Sequence, residues 1–371
     1  MRIGIDARPL ISESPSGIGI YLLEILRNLK KNENTTYILY TNEPIRNQDP
    51  VLAEFQKRVV SGKIGTITVC LGLDKTLKAD KIDEFWGTEH MLPLFAHGVK
   101  KVLTVHDLAL LINPSWGSRR NAIMQNVFCR LSCKCADRII AVSDATRNDI
   151  TRLLKIDKEM ITVIPNGGGG YSNVSLSSEM QEDIEKRIGI TGKRFFAYTG
   201  NIEPRKNIIG LIKAFEKVNG QSAEPYYLVL AGKMGWRTEP IKAAIEQSTY
   251  RKYIISPGYI SENEKKYLMS RAIAFVFPSN YEGFGIPIVE ALSCGGIVIT
   301  ARNSSLPEVG GDAALYIQQS SDTDALAQRM LECIEMPEQE RARRIQLGAK
   351  QAMKFDWVCC AKETQKVLEA M

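Results

Sequence analysis

Residues 274–296 read "AFVFPSNYEGFGIPIVEALSCGG". A short apolar run of strand length leads into a loop punctuated by Gly283 and Gly285, and a helical stretch opens near Pro287. Glu282 lies in the loop and Glu290 in the first turns of the helix, around residues that are otherwise glycine, proline or apolar. Such a pair is either a solvated loop acid with an ordinary helix acid, or two carboxylates set about one ligand. A strand, a glycine loop and a helix in that order is the repeating unit of a parallel sheet wrapped by helices.

The unit recurs along the chain. "RIGID", "TYILYT", "KVLTVHD", "RIIAVS" and "MITVIP" read as strands in the first half, and "RFFAYTG", "YYLVLAG", "AIAFVFPS" and "GIVITA" in the second. Amphipathic stretches such as 19–30, 121–136 and 208–218 lie between them. The pattern is an α/β protein of two Rossmann-like doubly wound domains, and 371 residues suit two cores better than one. The break follows "VIPNGGGG", where four glycines run into a serine-rich tract. The expected organisation is an N-terminal domain over 1–167, a hinge or linker over 168–192, a C-terminal domain over 193–354, and a terminal helix over 355–371 that returns to the N-terminal domain. That helix carries Phe355, Trp357 and Val358, which need a surface to cover them. Doubly wound sheets bind ligands beyond the carboxyl ends of their strands, so a central cleft faced by both domains is the expected site.

Composition narrows the class. Hydrophobic residues make up 44% and charged residues 24%, and no run approaches a membrane span. "MRIGIDARPL" enters a strand directly, without the pattern of a signal peptide, so a soluble cytoplasmic protein is expected. The eight cysteines then read as reduced thiols. Cys129, Cys133 and Cys135 cluster, but His90, His97 and His106 do not complete a zinc spacing, and no metal is expected there. The net charge of +6 comes mainly from residues 1–165, where 23 basic residues face 18 acidic ones. That balance fits an anionic partner such as a phospholipid surface or a phosphate-bearing substrate, or an ordinary basic surface. No basic run with interleaved aromatics points to nucleic acid.

Two further segments carry chemistry. After "FFAYTG" comes "NIEPRKNIIGLIKAF", where Pro204 is expected to open a helix with Arg205 and Lys206 at its start. Arg supplies a planar fork and Lys a compact charge, a combination that neutralises a diphosphate. Glu282 and Glu290 are of the type that accepts hydrogen bonds from vicinal hydroxyls, one on a sugar and one on a ribose. In the first half, His106 of "TVHD" ends a strand beside Asp107, and a neutral imidazole there can accept or orient a hydroxyl.

"SGIGIY", "GNIEPRKN", "YEGFGIPIVEALSCGGIVIT" and "SLPEVGGDAALYI" together resemble the large retaining GT-B family of nucleotide-sugar glycosyltransferases with the E-x7-E motif. "LPLFAHGVKKVLTVHDLALLINP" and "GNIEPRKNIIGLIKAF" resemble, more narrowly, bacterial GDP-mannose-dependent mannosyltransferases of O-antigen-type polysaccharide assembly. The resemblance runs from Met1 to the last helix. It implies that Arg205 and Lys206 bind the donor diphosphate, that Glu282 holds the hexose with the backbone N–H groups of Phe284, Gly285 and Ile286 nearby, and that Glu290 holds the ribose. It places Gly258, Tyr259 and Ile260 at the base, with Lys233 near the donor, His106 facing the reacting sugar, and Gly17 and Gly19 toward the acceptor or a phosphate. Ser143 of "AVSDAT" is either part of the site or a helix cap. Where many members continue after "PNG" with valine and aspartate, this chain has "NGGGG", so no role carries into that segment.

The implied activity is transfer of an α-hexose, mannose from GDP-mannose foremost, to a lipid-linked saccharide in cell-surface polysaccharide biosynthesis. It needs no cofactor or metal, because the cationic pair stands where a divalent ion would and no Asp-x-Asp clamp is present. A UDP-sugar donor is the alternative within the same fold. A retaining hydrolase requires carboxylates about 5.5 Å apart, whereas a loop and a helix glutamate eight positions apart span about 12 Å along helical rise. An epimerase lacks acid and base groups beyond His106, and the intact set of charged residues counts against a silent subunit. Acceptor recognition stays open: 118–138 carries Arg119, Arg120, Arg130, Lys134 and Arg138 among apolar residues, and is either a face for an anionic membrane or a core-packed helix with a basic outer face.

Overall fold

The computed structural model describes residues 1–30, 33–60, 65–168 and 176–370. The chain forms two compact units, Met1–Gly167 with Asp356–Met371, and Gly168–Phe355. In the first, β1 (Arg2–Asp6), β2 (Thr36–Thr41), β3 (Gln56–Val59), β4 (Glu84–Gly87), β5 (Lys100–Val105), β6 (Arg138–Ala141) and β7 (Ile161–Val163) form one sheet in the order β3-β2-β1-β4-β5-β6-β7. Every pairing is parallel, with Ile3 opposite Tyr37 on one side of β1 and Ile5 opposite Trp86 on the other. The sheet grows both ways from β1 and β4, so the loops after these two strands part to opposite faces. That is the topological switch point of a doubly wound sheet.

The second unit repeats the plan. β8 (Phe195–Thr199), β9 (Tyr227–Ala231), β10 (Ile254–Gly258), β11 (Phe275–Phe277), β12 (Val298–Ala301) and β13 (Leu315–Ile317) lie in the order β10-β9-β8-β11-β12-β13, all parallel. Its switch point falls between β8 and β11. The central strands of both sheets are mostly apolar and buried, with Asp6 and Glu84 as buried charges among them, because helices cover both faces.

Tyr21, on the helix Gly17–Asn28, anchors the first core: its ring meets Trp86, His106 and Trp357 edge-on at 6.3, 4.8 and 6.2 Å. Trp357 begins the last helix, Trp357–Glu369, whose first N–H groups are capped by Asp356. Gln365 fastens that helix by exchanging hydrogen bonds with the backbone of Lys30, at 2.7 and 3.0 Å. Gly167, the glycine of "PNG" that precedes the departure, is fixed by packing. A Cβ on Gly167 would lie 2.4 Å from the Trp357 ring. Of the three residues expected to need cover, Trp357 is packed here, Phe355 meets Phe284 edge-on within the second unit at 5.4 Å, and Val358 is exposed.

The linker expected over 168–192 is corrected in part. Ser178–Ile188 is a helix of the second unit, capped by Ser177 at its start and by left-handed Gly189 at its end, with Ile184 and Ile188 buried. Residues 169–175 lie outside the described residues. Cys129 and Cys133 are buried in the first core, and no cluster of metal-ligating side chains is gathered among the described residues.

Candidate functional site

The switch point of the second unit collects charge. Pro204 opens a single 3-10 turn, Pro204–Lys206, and Asn207 then takes a left-handed conformation (φ 55°) before the helix Ile208–Gly220 begins. The helix expected to open at Pro204 therefore starts four residues later, and Arg205 and Lys206 occupy the turn that precedes it. Nη1 of Arg205 donates to the Tyr281 carbonyl and to Oε2 of Glu282, both at 2.8 Å, and Nη2 donates to Oε1 of Glu203 at 2.9 Å. Nζ of Lys206 reaches Oε1 of Glu282 at 2.6 Å and lies 5.1 Å from the centre of the Phe277 ring. The four charged side chains are 9–16% exposed.

Burial alone would raise the Glu282 pKa, but Arg205 and Lys206 overcome it and hold the carboxyl down to about 2. Burial and the neighbouring Arg205 lower that of Lys206, against the pull of Glu282. The cluster is neutral as a whole, two acids against two bases, with Glu282 ionised between both cations.

The loop bearing Glu282 is held from one side by 303–305. The Glu282 N–H donates to Ser304 Oγ at 3.0 Å, and Ser305 Oγ donates to the carbonyls of Glu282 and Phe284 at 3.0 and 2.6 Å. Gly285 caps the helix Ile286–Ser293 at φ 111°, a conformation open to glycine at little cost. The N–H groups of Phe284, Gly285 and Ile286 donate to no acceptor among the described residues, so the helix start presents donors to an anion or hydroxyl.

Glu290 belongs to a separate ion pair. Its Oε1 meets Nζ of Lys265 at 2.8 Å, and Lys265 also meets Glu262 at 3.0 Å. Lys265 sits on the helix Glu262–Arg271, fixed by a capping box between Ser261 and Glu264. Burial works against the Lys265 charge, but Glu290 and Glu262 raise its pKa above the usual lysine range. The two glutamates of the opening stretch thus have different cationic partners.

Beyond β9 and β10 the surface opens. Tyr259 is 62% exposed, and Nζ of Lys233 lies 5.1 Å from the centre of its ring. Gly258 has φ 75°, and Ile260 is half-buried. Gly232, next to Lys233, has to be glycine: a Cβ there would lie 1.9 Å from the Gly200 carbonyl oxygen.

The first unit's switch point is built differently. Asp6 ends β1, and its carboxylate takes two hydrogen bonds from the Arg8 guanidinium, at 2.6 and 2.8 Å. Glu89 approaches the same guanidinium at 3.6 Å. His106, one residue past β5, is 8% exposed, and Nε2 lies 3.0 Å from the Thr88 carbonyl. A carbonyl only accepts, so Nε2 carries the proton and Nδ1 of the neutral ring is left as an acceptor. Burial, then His90, push His106 down to about 3, against Thr88 and Asp107. The ring of His90 stands 5.8 Å from that of His106. His90 is buried, has a left-handed backbone (φ 60°), and its Nδ1 has no hydrogen-bond partner among the described residues. A buried, strained residue with an unsatisfied nitrogen beside a strand-end histidine is a feature of functional sites.

Gly17 is exposed in the first turn of its helix with open space above it, whereas Gly19 is buried, 2.7 Å from the Pro9 carbonyl for a Cβ built there. Gly19 therefore serves close packing of that turn. Ser143 is the cap: its Oγ accepts from the Thr146 N–H at 3.0 Å at the start of Asp144–Asp149. Arg8, Glu89, His90, Glu203, Lys265, Ser304 and Ser305 escaped the sequence reading. Glu203 stands inside the quoted "GNIEPRKN", and a charge two residues before Arg205 was a usable signal.

The model of glycosyl transferases group 1 matches residues 180–351, and that of glycosyltransferase family 4 matches residues 15–167. The O-antigen chain mannosyltransferase B of Escherichia coli is 31% identical over 265 residues, which cover 71% of this chain and 69% of that protein. The chain belongs to this family of glycosyltransferases. The O-antigen chain mannosyltransferase RfbU of Salmonella typhimurium is 28% identical to this glycosyltransferase over 239 residues, 63% of the chain and 60% of RfbU. Among solved structures, Anabaena HepE in complex with UDP and glucose superposes with a TM-score of 0.77 at 18% identity, over 100% of this chain and 99% of that one. That likeness places the glycosyltransferase in the GT-B fold of two Rossmann-like domains. Its substrates are accordingly a sugar donor and an acceptor.

Proposed function

We propose that this glycosyltransferase transfers an α-mannosyl group from GDP-mannose to a lipid-linked saccharide, with retention of configuration, in the assembly of an O-antigen-type polysaccharide at the cytoplasmic face of a membrane. The observation that carries the reading is the Glu282 carboxylate held ionised between Arg205 and Lys206 at the β8/β11 switch point. The mannosyl donor and the O-antigen acceptor rest on the names of the similar proteins from E. coli and Salmonella.

In this reading the bond from the sugar C1 to the diphosphate oxygen breaks, a bond from C1 to an acceptor hydroxyl oxygen forms, and the hydroxyl proton passes to the departing diphosphate. Arg205 and Lys206 take the charge that grows on the departing diphosphate, aided by the N–H groups of Phe284, Gly285 and Ile286. Two cationic side chains do here what a divalent ion does in metal-dependent enzymes, so no metal is required. Glu282 accepts hydrogen bonds from hexose hydroxyls, and Glu290, poised by Lys265, accepts from the ribose. Gly258, Tyr259 and Ile260 grip the base, with Lys233 beside them. The free Nδ1 of neutral His106 accepts from a hydroxyl of the reacting sugar.

Purified protein incubated with GDP-mannose and a set of UDP-sugars, with nucleotide release followed in the presence of lipid-linked acceptors and of EDTA, tests the reading. Acceptor-stimulated GDP release that survives EDTA is expected. A response to UDP-sugars alone would overturn the mannosyl assignment, and release without transfer would revive the hydrolase.

A further inference from the structure

Three Phe, Trp or Tyr side chains are exposed among the described residues: Phe95, Trp236 and Tyr259. Two of them stand on loops that leave neighbouring strands of the second unit, Trp236 after β9 and Tyr259 after β10. Trp236 is 56% exposed, and its indole has no hydrogen bond, ring contact or cation contact among the described residues. An indole is the largest apolar face a side chain offers, and folding gains nothing from leaving it in water.

The loop that carries it is nonetheless fixed. The Gly232 N–H donates to the Gly258 carbonyl at 2.8 Å, which ties the loop to the residue before Tyr259. On the other side, the Ile202 N–H donates to the Lys233 carbonyl and the Gly235 N–H to the Ile202 carbonyl, both at 2.9 Å. Ile202 precedes Glu203, the partner of Arg205. A Cβ on Gly235 would lie 3.3 Å from that of Glu203, so the turn is pressed against the charged cluster. Beyond Trp236, Thr238 is buried, and the helix Glu239–Glu246 sets Ile241 into the core. A ring held out from a loop pinned on both sides is a preformed face, with little order left to impose on binding.

The direction of the proposed donor decides what meets that face. Its diphosphate lies at the turn after β8 and its ribose at Glu290 and Lys265, and Lys265 is on the helix that begins three residues after Tyr259. The donor thus runs from β8 toward the β10 side of the sheet. The β9 loop, one strand spacing of about 5 Å from each neighbour, borders its nucleoside end. Residues 232–238, "GKMGWRT", carry two cations and no acid, which suits an anionic ligand.

We infer that Trp236 is a stacking wall for the donor's nucleobase, acting with Tyr259, and that this wall favours purine over pyrimidine nucleotides. Stacking grows with the overlap of ring faces, and a two-ring purine covers more of an indole than a one-ring pyrimidine does. The inference rests on the nucleotide site of the proposed function and gives that site a physical reason to favour GDP over UDP. The sugar, the acceptor and the stereochemistry play no part in it.

Calorimetric titration of the purified full chain with GDP, ADP, UDP, CDP and inorganic pyrophosphate tests it. Wild type should bind GDP more tightly than UDP. Trp236→Ala should weaken GDP and ADP by about 5- to 50-fold, UDP and CDP by less, and pyrophosphate not at all. Trp236→Phe, which keeps a ring, should recover most of the loss. Because Trp236 is exposed, circular dichroism and the thermal midpoint should stay as in wild type. Binding is read without transfer, so an error in the donor sugar or the acceptor leaves these results as they are. Unchanged GDP affinity in Trp236→Ala would overturn the inference. So would equal losses for purine and pyrimidine nucleotides, a loss for pyrophosphate as large as that for GDP, or tighter binding of UDP than of GDP by wild type.

Discussion

The two sheets share one strand order about their switch points, yet the side chains gathered there differ in kind. After β8 and β11 stand four charges linked by ion pairs and mostly shielded from solvent, with Glu282 held ionised by Arg205 and Lys206. After β4 and β5 stand two neutral imidazoles, His90 and His106, beside an Asp6–Arg8 pair that Glu89 also approaches. Topology supplies the place in both cases, and the residues decide its chemistry. A pre-paired cluster can exchange one anion for another without ordering long side chains anew, which suits a diphosphate leaving group. Buried neutral rings suit uncharged hydroxyls, which an imidazolium would not accept from.

Changes at the charged cluster should have the largest effect. Lys206→Ala and Glu282→Ala are each expected to lower kcat by about 100- to 1,000-fold while circular dichroism and cooperative unfolding are kept. Full activity in either variant would remove the site assignment. At the neutral side, His106→Ala should cost about 10- to 100-fold, and the wild-type rate should show no inflection near pH 6.5, because the ring is uncharged throughout. The same residue sets an acid limb of stability. Its pKa is about 3 folded and about 6.5 unfolded, so the unfolded chain binds the proton first. Stability present above pH 6.5 drains away as pH falls toward 3, and His106→Gln should flatten that slope in urea titrations. Glu282, depressed to about 2, adds a loss that sets in only below its ordinary range near 4.5 and continues down to about 2.

A smaller change sharpens the division within the second unit. Lys265→Met leaves Glu290 without its cation, and should raise the donor KM about 3- to 10-fold with little change in kcat. An equal fall in kcat would join Glu290 to the Glu282 cluster. The smallest effect is expected at Gly285→Ala, where φ 111° strains any side chain by about 1 to 3 kcal/mol; a thermal midpoint lower by a few degrees would register it.

How much of this was legible in the chain differed between the same two regions. The second unit's charges sit within short quoted motifs, because the loops after β8 and β11 carry their ligands on consecutive residues. The first unit's cluster draws on residues 6, 8, 89, 90 and 106, and only the strand-end position of His106 marks it. β4 was unread: "EFWG" is four residues long, and its Glu84 breaks the apolar run although it is buried, where burial and Asp137, against Lys100, raise it to about 8. β3, "QKRV", is charged and fully exposed, as an edge strand protected from further pairing should be. The start at Pro204 misled because proline suits a 3-10 turn as well as a helix, and only left-handed Asn207 separates the two. In 118–138 the sequence shows a basic helix, but which apolar residues face outward depends on a π turn, Gln125–Cys129, for which the sequence offers no signal.

Calorimetric titration of GDP and GDP-mannose into wild type, Glu282→Gln and Glu290→Gln bears most directly on the claim that the two glutamates of 281–296 span one donor. Glu290→Gln should weaken both ligands by the same factor, since both carry the ribose. Glu282→Gln should bind GDP as well as wild type or better, with two cations released from their carboxylate, and should weaken GDP-mannose relative to GDP. A Glu282→Gln protein that loses GDP and GDP-mannose in equal measure, or neither, would contradict the placement of that carboxylate on the hexose.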